Sequence, residues 1–155
     1  MSIQGDQLPG QERDCRHILI VEDDQDDAFL LKRALSSAAR ERNIQLRIVH
    51  RVNGMDALGA VARDDLTNAM PQVIVVDLNM PLVDGGRFLT VLRNDFDMGD
   101  VPAVVLTTAT EKYVHDKAMA EGADAVFSKP NGQNELLVIA RKILAFAGAP
   151  RPAAA

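Results

Sequence analysis

Asp77 closes the apolar run Val73-Ile74-Val75-Val76 and is followed by Leu78-Asn79-Met80-Pro81 and then Asp84-Gly85. An ionised carboxylate at the tip of such a run is costly to desolvate, so it requires partners or a task. One task open to a fixed aspartate is nucleophilic attack that forms an aspartyl phosphate. Three other apolar runs end in complementary groups: Glu22-Asp23-Asp24, Thr107-Thr108 and Ser128-Lys129-Pro130. Neighbouring carboxylates repel one another unless a cation sits between them, and oxygen ligands with room for water and phosphate suit Mg2+. The plainer role for the same acids, with Asp26 and Asp27, is to complement a helix N-terminus. Lys129 is held extended by Pro130, so its ammonium can balance the acids or hold a phosphoryl oxygen; the plainer reading is a surface loop lysine. Thr107 is either an ordinary strand residue or a hydroxyl facing the same site.

These groups need a frame that brings strand ends together. Short β-type runs alternate with longer helical patterns along the chain. The strand runs are 17–21, 46–49, 72–77, 102–107 and 125–127, and the helical patterns are 26–42, 53–66, 86–95, 111–121 and 134–147. The second run alternates apolar with polar, which predicts a place at or near a sheet edge. Phe29, Leu30, Ala34, Leu35 and Ala38 recur at helix spacing in the first helix, and Met55, Leu58, Ala62 and Leu66 in the second, which Asn53 can cap. Pro81 cannot donate to a ladder, so the third strand must stop near Asp77; Gly85 permits a sharp turn, and Gly122 is a natural residue just past a helix end. Strict alternation of strands and helices implies a parallel sheet with right-handed crossovers and helices on both faces. All strand ends then point one way, and the polar groups converge on the carboxyl edge, where open α/β sheets usually bind ligands.

The chain has 155 residues, 47% hydrophobic and 25% charged, as expected of one globular domain. Aromatics are 4% with no Trp, so the core must be aliphatic. A net charge of -5 disfavours non-specific binding to nucleic acid. Cys15 is the single cysteine, and no signal-peptide core or spanning run is present, so a cytoplasmic location without membrane contact is expected. Residues 1–14 read as a flexible lead, 15–148 as the domain and 149–155 as a flexible tail.

From Arg16 to Ala147 the chain resembles the CheY-like receiver domains of two-component response regulators. The resemblance rests on Ile18-Leu19-Ile20-Val21-Glu22-Asp23, Val76-Asp77-Leu78-Asn79-Met80-Pro81 with Asp84-Gly85, Leu106-Thr107, Gly122-Ala123 and Lys129-Pro130, which agree in order and spacing. It implies a flavodoxin-like (βα)5 doubly wound sandwich with a five-stranded parallel sheet in the order 2-1-3-4-5. It implies Asp77 as the phosphoacceptor, Asp23 as a direct Mg2+ ligand with Glu22 acting mainly through water, and the Asn79 backbone carbonyl completing the metal shell. Thr107 would be the hydroxyl that swings toward the phosphate, and Lys129 would pair with the phosphoryl group. A histidine kinase would supply that group, and the chain would catalyse its own phosphorylation and dephosphorylation with no outside substrate. Thr107-Thr108 and the long stretch 26–43 look like the stand-alone regulators that partner bacterial phytochromes.

At the family's switch aromatic this chain has Val126; Phe127, next to it, points to the opposite face and reads as core. The tail after Ala147 holds no DNA-binding domain, so output is expected through a protein surface, to a downstream target or phosphotransferase and not to DNA. Leu136, Leu137, Ile139, Ile143, Leu144 and Phe146 exceed one helix face: either this helix forms a homodimer seam with the fourth, near Tyr113 and Val114, or it is simply well buried. Two rival functions remain open at this level. A pseudo-receiver would bind partners without phosphorylation, but every site position is filled. An aspartate-nucleophile phosphatase would carry a second Asp two residues after the first, where this chain has Asn79. No glycine-rich nucleotide loop is present.

Overall fold

The computed structural model describes residues 14–67, 70–80, 83–95 and 100–148. Residues 1–13 of the expected lead, the expected tail from 149, Pro81 and the Leu66 side chain lie outside the described residues. The elements run β1 (Cys15–Val21), α1 (Gln25–Glu41), β2 (Gln45–Arg51), α2 (Gly54–Thr67), β3 (Val73–Val76), α3 (Gly85–Asp95), β4 (Ala103–Thr107), α4 (Lys112–Ala120), β5 (Ala125–Ser128) and α5 (Gln133–Phe146). The strands form one parallel sheet in the order β2-β1-β3-β4-β5. The alternating strand β2 is at an edge, as its pattern predicts, and the two continuous apolar runs β3 and β4 are buried along their whole length.

Two apolar layers flank the sheet. On one face, Ile18, Ile20, Val73, Val75, Val104 and Leu106 pack with α1 and α5. On the other, Leu19, Val21, Ile74, Val76 and Val105 pack with α2, α3 and α4, centred on Phe88, Leu89 and Leu92. Alternation along each strand divides these side chains between the faces. Phe127 joins the α1/α5 layer and Val126 the other, as strand alternation requires.

The inward faces of α1 and α2 differ in part from the expected ones: Ala34, Leu35 and Ala38 face the core as expected, Phe29, Leu30 and Met55 do not. Helix α1 buries Ala28, Leu31, Ala34, Leu35, Ala38 and Ala39, while Phe29 is 63% exposed and Leu30 38%. Helix α2 buries Ala57, Ala60 and Val61, and Met55 faces out at 59%. In both cases an alanine turns inward and the bulky neighbour outward, because close approach of a helix to a sheet favours small side chains. In α5, Ile139, Ala140, Ile143 and Leu144 are buried, and Leu136, Leu137 and Phe146 pack partly on the same layer. Most of that helix's apolar surplus therefore meets its own sheet, with Val138 left 44% exposed.

Helix ends follow the sequence signals. Asp24 caps α1 by accepting from the amides of Asp26 and Asp27. Asn53 accepts from the Asp56 amide at 2.9 Å. Asp84 accepts from the Arg87 amide at 2.8 Å at the start of α3. Gly122 stands just past the end of α4 with φ +121, a conformation that favours glycine. Gly85 has a different reason: a Cβ there would lie 2.2 Å from the Asp77 carbonyl oxygen. Its lack of a side chain lets α3 start directly against the backbone of Asp77.

Candidate functional site

The ladder carries the strand ends into one place. The Asp77 amide donates to the Val21 carbonyl at 3.0 Å, so Asp77 leaves β3 beside the point where Glu22 and Asp23 leave β1. The Glu22 amide donates to the Arg51 carbonyl at 2.9 Å, and the His50 ring meets the Glu22 carbonyl at 2.7 Å, fastening that end to β2. The Lys129 amide donates to the Thr107 carbonyl at 2.6 Å and extends the β4–β5 pairing beyond β5.

Carboxylate oxygens of Glu22, Asp23 and Asp77 all lie within 4.8 Å of one another. Glu22 and Asp77 are buried and Asp23 is exposed. The Lys129 ammonium bonds Glu22 Oε1, lies 2.8 Å from Asp27 Oδ2 and reaches Asp77 Oδ2 at 3.4 Å. The other Asp77 oxygen accepts from the Asn79 amide at 3.3 Å. Both of these contacts to Asp77 are long, so its oxygens are lightly held. The other oxygen of Glu22, Oε2, is buried without a hydrogen-bond partner.

One ammonium thus meets three carboxylates, Glu22, Asp27 and Asp77, and Asp23 adds a fourth acid beside Glu22 and Asp77. The Glu22 carboxyl is pushed up to about 8, first by burial and then by the closeness and charge of the Asp77 carboxylate, while Lys129 pulls the other way. Burial works against the Lys129 charge, but its bonds to Asp27 and Glu22, with the charges of Asp77 and Glu22, outweigh that and hold it above the ordinary lysine value. A small pocket of about 60 Å³ under this cluster is lined by Ile20, Leu31, Val75 and Leu106 among others, and its apolar walls contribute to the desolvation of Glu22.

The oxygen-only donor set, its surplus negative charge and the unpartnered Glu22 Oε2 fit a hard divalent cation such as Mg2+. The four strand ends named by the sequence meet here: Lys129 reaches Glu22 and Asp77, Asp23 lies with those two carboxylates, and β4 ends beside them at Thr107, which is fully buried. Its hydroxyl accepts from the Ala109 amide at 3.2 Å. Asp27, which the sequence marks only as a helix-end charge, also belongs to the site. It sits in the first turn of α1, within reach of Lys129 just past β5, a closeness that residue spacing alone does not reveal.

A doubly wound parallel sheet with an acid cluster, a hydroxyl and a lysine at its carboxyl edge places the chain among open α/β proteins with a polar site at that edge. Comparison with known proteins narrows the class. Residues 18–141 match the family described as the response regulator receiver domain, and the chain belongs to that family. Response regulator Rre1 of Synechocystis is 37% identical over 84 residues, which cover 54% of this chain and 36% of that protein. Most of the curated relatives are longer than this chain, which spans about half their length or less. Among solved structures, the phosphorylated cyanobacterial phytochrome response regulator RcpA superposes with a TM-score of 0.74 at 24% identity, covering 88% of this chain and 99% of that one. The Mn2+-bound form of response regulator Rcp1 gives 0.72 at 24% identity, covering 89% and 99%. No helix among the described residues is long and apolar enough to cross a membrane.

Proposed function

We propose that this receiver domain accepts a phosphoryl group on Asp77 from a histidine kinase and signals through a changed protein-binding surface. The observation that carries this reading is the cluster itself: three carboxylates within 4.8 Å, with one lysine bridging two of them. Glu22, Asp23, Asp77 and the backbone carbonyl of Asn79 would hold Mg2+. Bound there, the ion would offset negative charge on the phosphoryl oxygens. Asp77 would form an O–P bond as the P–N bond of a phosphohistidine breaks, the imidazole leaving with the electron pair. Lys129 would keep an ammonium beside the arriving oxygens, and Thr107 would turn its hydroxyl toward them.

The likeness of the fold to RcpA, a phytochrome response regulator, and the 17-residue α1 support a phytochrome-type kinase as the donor. The Mn2+ bound to Rcp1 supports a divalent ion at the acidic edge. A net charge of -5 supports a protein target over DNA, and a cytoplasmic site of action follows from the kinase reading. Tyr113, 74% exposed, and Met119 on α4, with Val138 on α5, are the exposed large apolar groups these helices offer a homodimer seam.

The test is direct. The protein is incubated with Mg2+ and acetyl phosphate and its intact mass measured. A gain of one phosphoryl group that is absent in Asp77→Asn is expected. No gain in the wild type would refute the reading and leave an interaction module that works without phosphorylation.

A further inference from the structure

The chain lacks a ring at Val126, yet a ring occupies the neighbourhood from another element. His115 of α4 points its Nε2 at the Ala109 carbonyl, 2.8 Å away, in the loop that follows Thr107. A carbonyl only accepts, so this nitrogen carries the hydrogen. Ser128 donates to the same carbonyl at 3.2 Å, and its hydroxyl lies 3.4 Å from His115 Nε2. Ser128 lies two positions beyond Val126 on β5 and so shares its face, toward α4.

The other side of the Ala109 residue meets the site. Its amide donates to the Thr107 hydroxyl at 3.2 Å. One residue is therefore held at both ends: N–H on Thr107, C=O on His115 and Ser128. A hydroxyl that turns toward a new oxygen changes the lone pair it offers to the Ala109 N–H. A shift of the loop would carry its carbonyl with it, and with that carbonyl the partner of the imidazole on α4.

The geometry points to His115 and Ser128 as positioning residues that couple the Thr107 hydroxyl to α4 through Ala109, in the role an aromatic at position 126 would otherwise fill. This inference rests on the phosphoacceptor reading for the event that turns Thr107, but the coupling itself exists in the unmodified protein and is measurable there. Tyr113, two residues before His115 and exposed, lies on the surface that such a movement of α4 would alter.

Two measurements on the full chain separate the claims. In the unmodified protein, NMR follows solvent exchange of the His115 Nε2 proton. Thr107→Val, which removes the hydroxyl, is expected to speed that exchange about fivefold or more, the lower bound of an ordinary coupling between sites. Next, the wild type, His115→Ala and His115→Gln are treated with Mg2+ and acetyl phosphate. Intact mass reports uptake, and amide exchange of residues 112–120 reports α4. His115→Ala is expected to take up phosphoryl like the wild type but to lose most of the α4 response, and His115→Gln, which keeps a donor, to recover it. An α4 response in His115→Ala equal to that of the wild type overturns the inference, as does a Thr107→Val protein whose His115 proton exchanges at the wild-type rate. If the wild type takes up no phosphoryl group, the phosphoacceptor reading falls and the first measurement alone decides the coupling.

Discussion

Glu22→Gln should make the metal-free protein more stable, although it removes a partner of Lys129. Glu22 is 5% exposed, one of its oxygens has no hydrogen-bond partner, and it lies beside a second buried carboxylate. Its carboxyl titrates at about 8 in the fold, against 4.5 ordinarily. Between those values the unfolded chain has released the proton and the folded chain still holds it, so stability falls as pH rises. The slope is about 1.4 kcal/mol per pH unit, which accumulates to a ceiling of about 5 kcal/mol once Glu22 is ionised in both states. Solvent reaching the site from the exposed Asp23 side screens part of this, leaving an expected gain of about 2 kcal/mol for the glutamine at pH 8. Its amide carbonyl can still accept from Lys129, and its amino group can donate to Asp77. Urea denaturation in chelator at pH 5.5, 6.5 and 8 measures the difference, which should be small at the lowest pH and grow steadily. Mg2+ should then narrow or reverse the ranking. The wild type gains about 2.7 kcal/mol at a hundredfold excess over its dissociation constant, and the variant, lacking one acid, gains less at the same concentration. A variant less stable than the wild type at pH 8 in chelator, or a gap that does not change with pH, would show that the Lys129 pairing outweighs the repulsion and would refute the reasoning.

Two further changes test how the frame holds the site. Asp124, nearly buried before β5, accepts from Arg93 Nη2 at 3.1 Å and from the Ala103 amide at 2.9 Å. Asp124→Ala takes the Asp124 counter-charge from a mostly buried guanidinium and should cost about 3–5 kcal/mol in denaturant titrations, with much of the loss recovered when Arg93 is also replaced by Met. Gly85→Ala would set a Cβ 2.2 Å from the Asp77 carbonyl oxygen, a clash between backbone-fixed atoms. It should destabilise the fold by about 1–3 kcal/mol. Because the displaced atom belongs to Asp77, the proposed phosphoacceptor, the initial rate of phosphoryl uptake should also fall, by up to about 100-fold.

The strand ends could be read from the sequence because a parallel ladder leaves them little freedom. Once each apolar run is paired in register, its last residue must lie at the carboxyl edge, and the type of that residue is visible in the chain. Glu22, Asp77, Thr107 and Lys129 are all of this kind. The helix faces were less legible because apolar character alone ranks Phe29 above Ala28 and Met55 above Ala57, whereas the sheet accepts the smaller residue of each pair. The contacts that sequence reasoning missed have a common cause. Asp27 reaches Lys129 across 102 residues, and His115 reaches Ser128 across 13, each from a helix onto the end of a strand. Such contacts depend on where a helix sits over the sheet, which no local pattern states.

This division bears on how the site and its readout relate. The groups that would carry the chemistry are attached to the ladder, where a shift of one would break backbone hydrogen bonds. The groups that would report on it are attached to α4, to the end of β5 and to the loop after β4, joined through a single carbonyl that accepts two side-chain donors. Those two donors can be exchanged for a ring on β5 without altering the position of Asp77, since Val126 packs among apolar neighbours, apart from the carboxylates. Loss of the aromatic therefore removes nothing that holds Glu22, Asp77 or Lys129 in place. It would change only which element answers if Thr107 turned, and the hydrogen bonds to Ala109 point to α4 as that element.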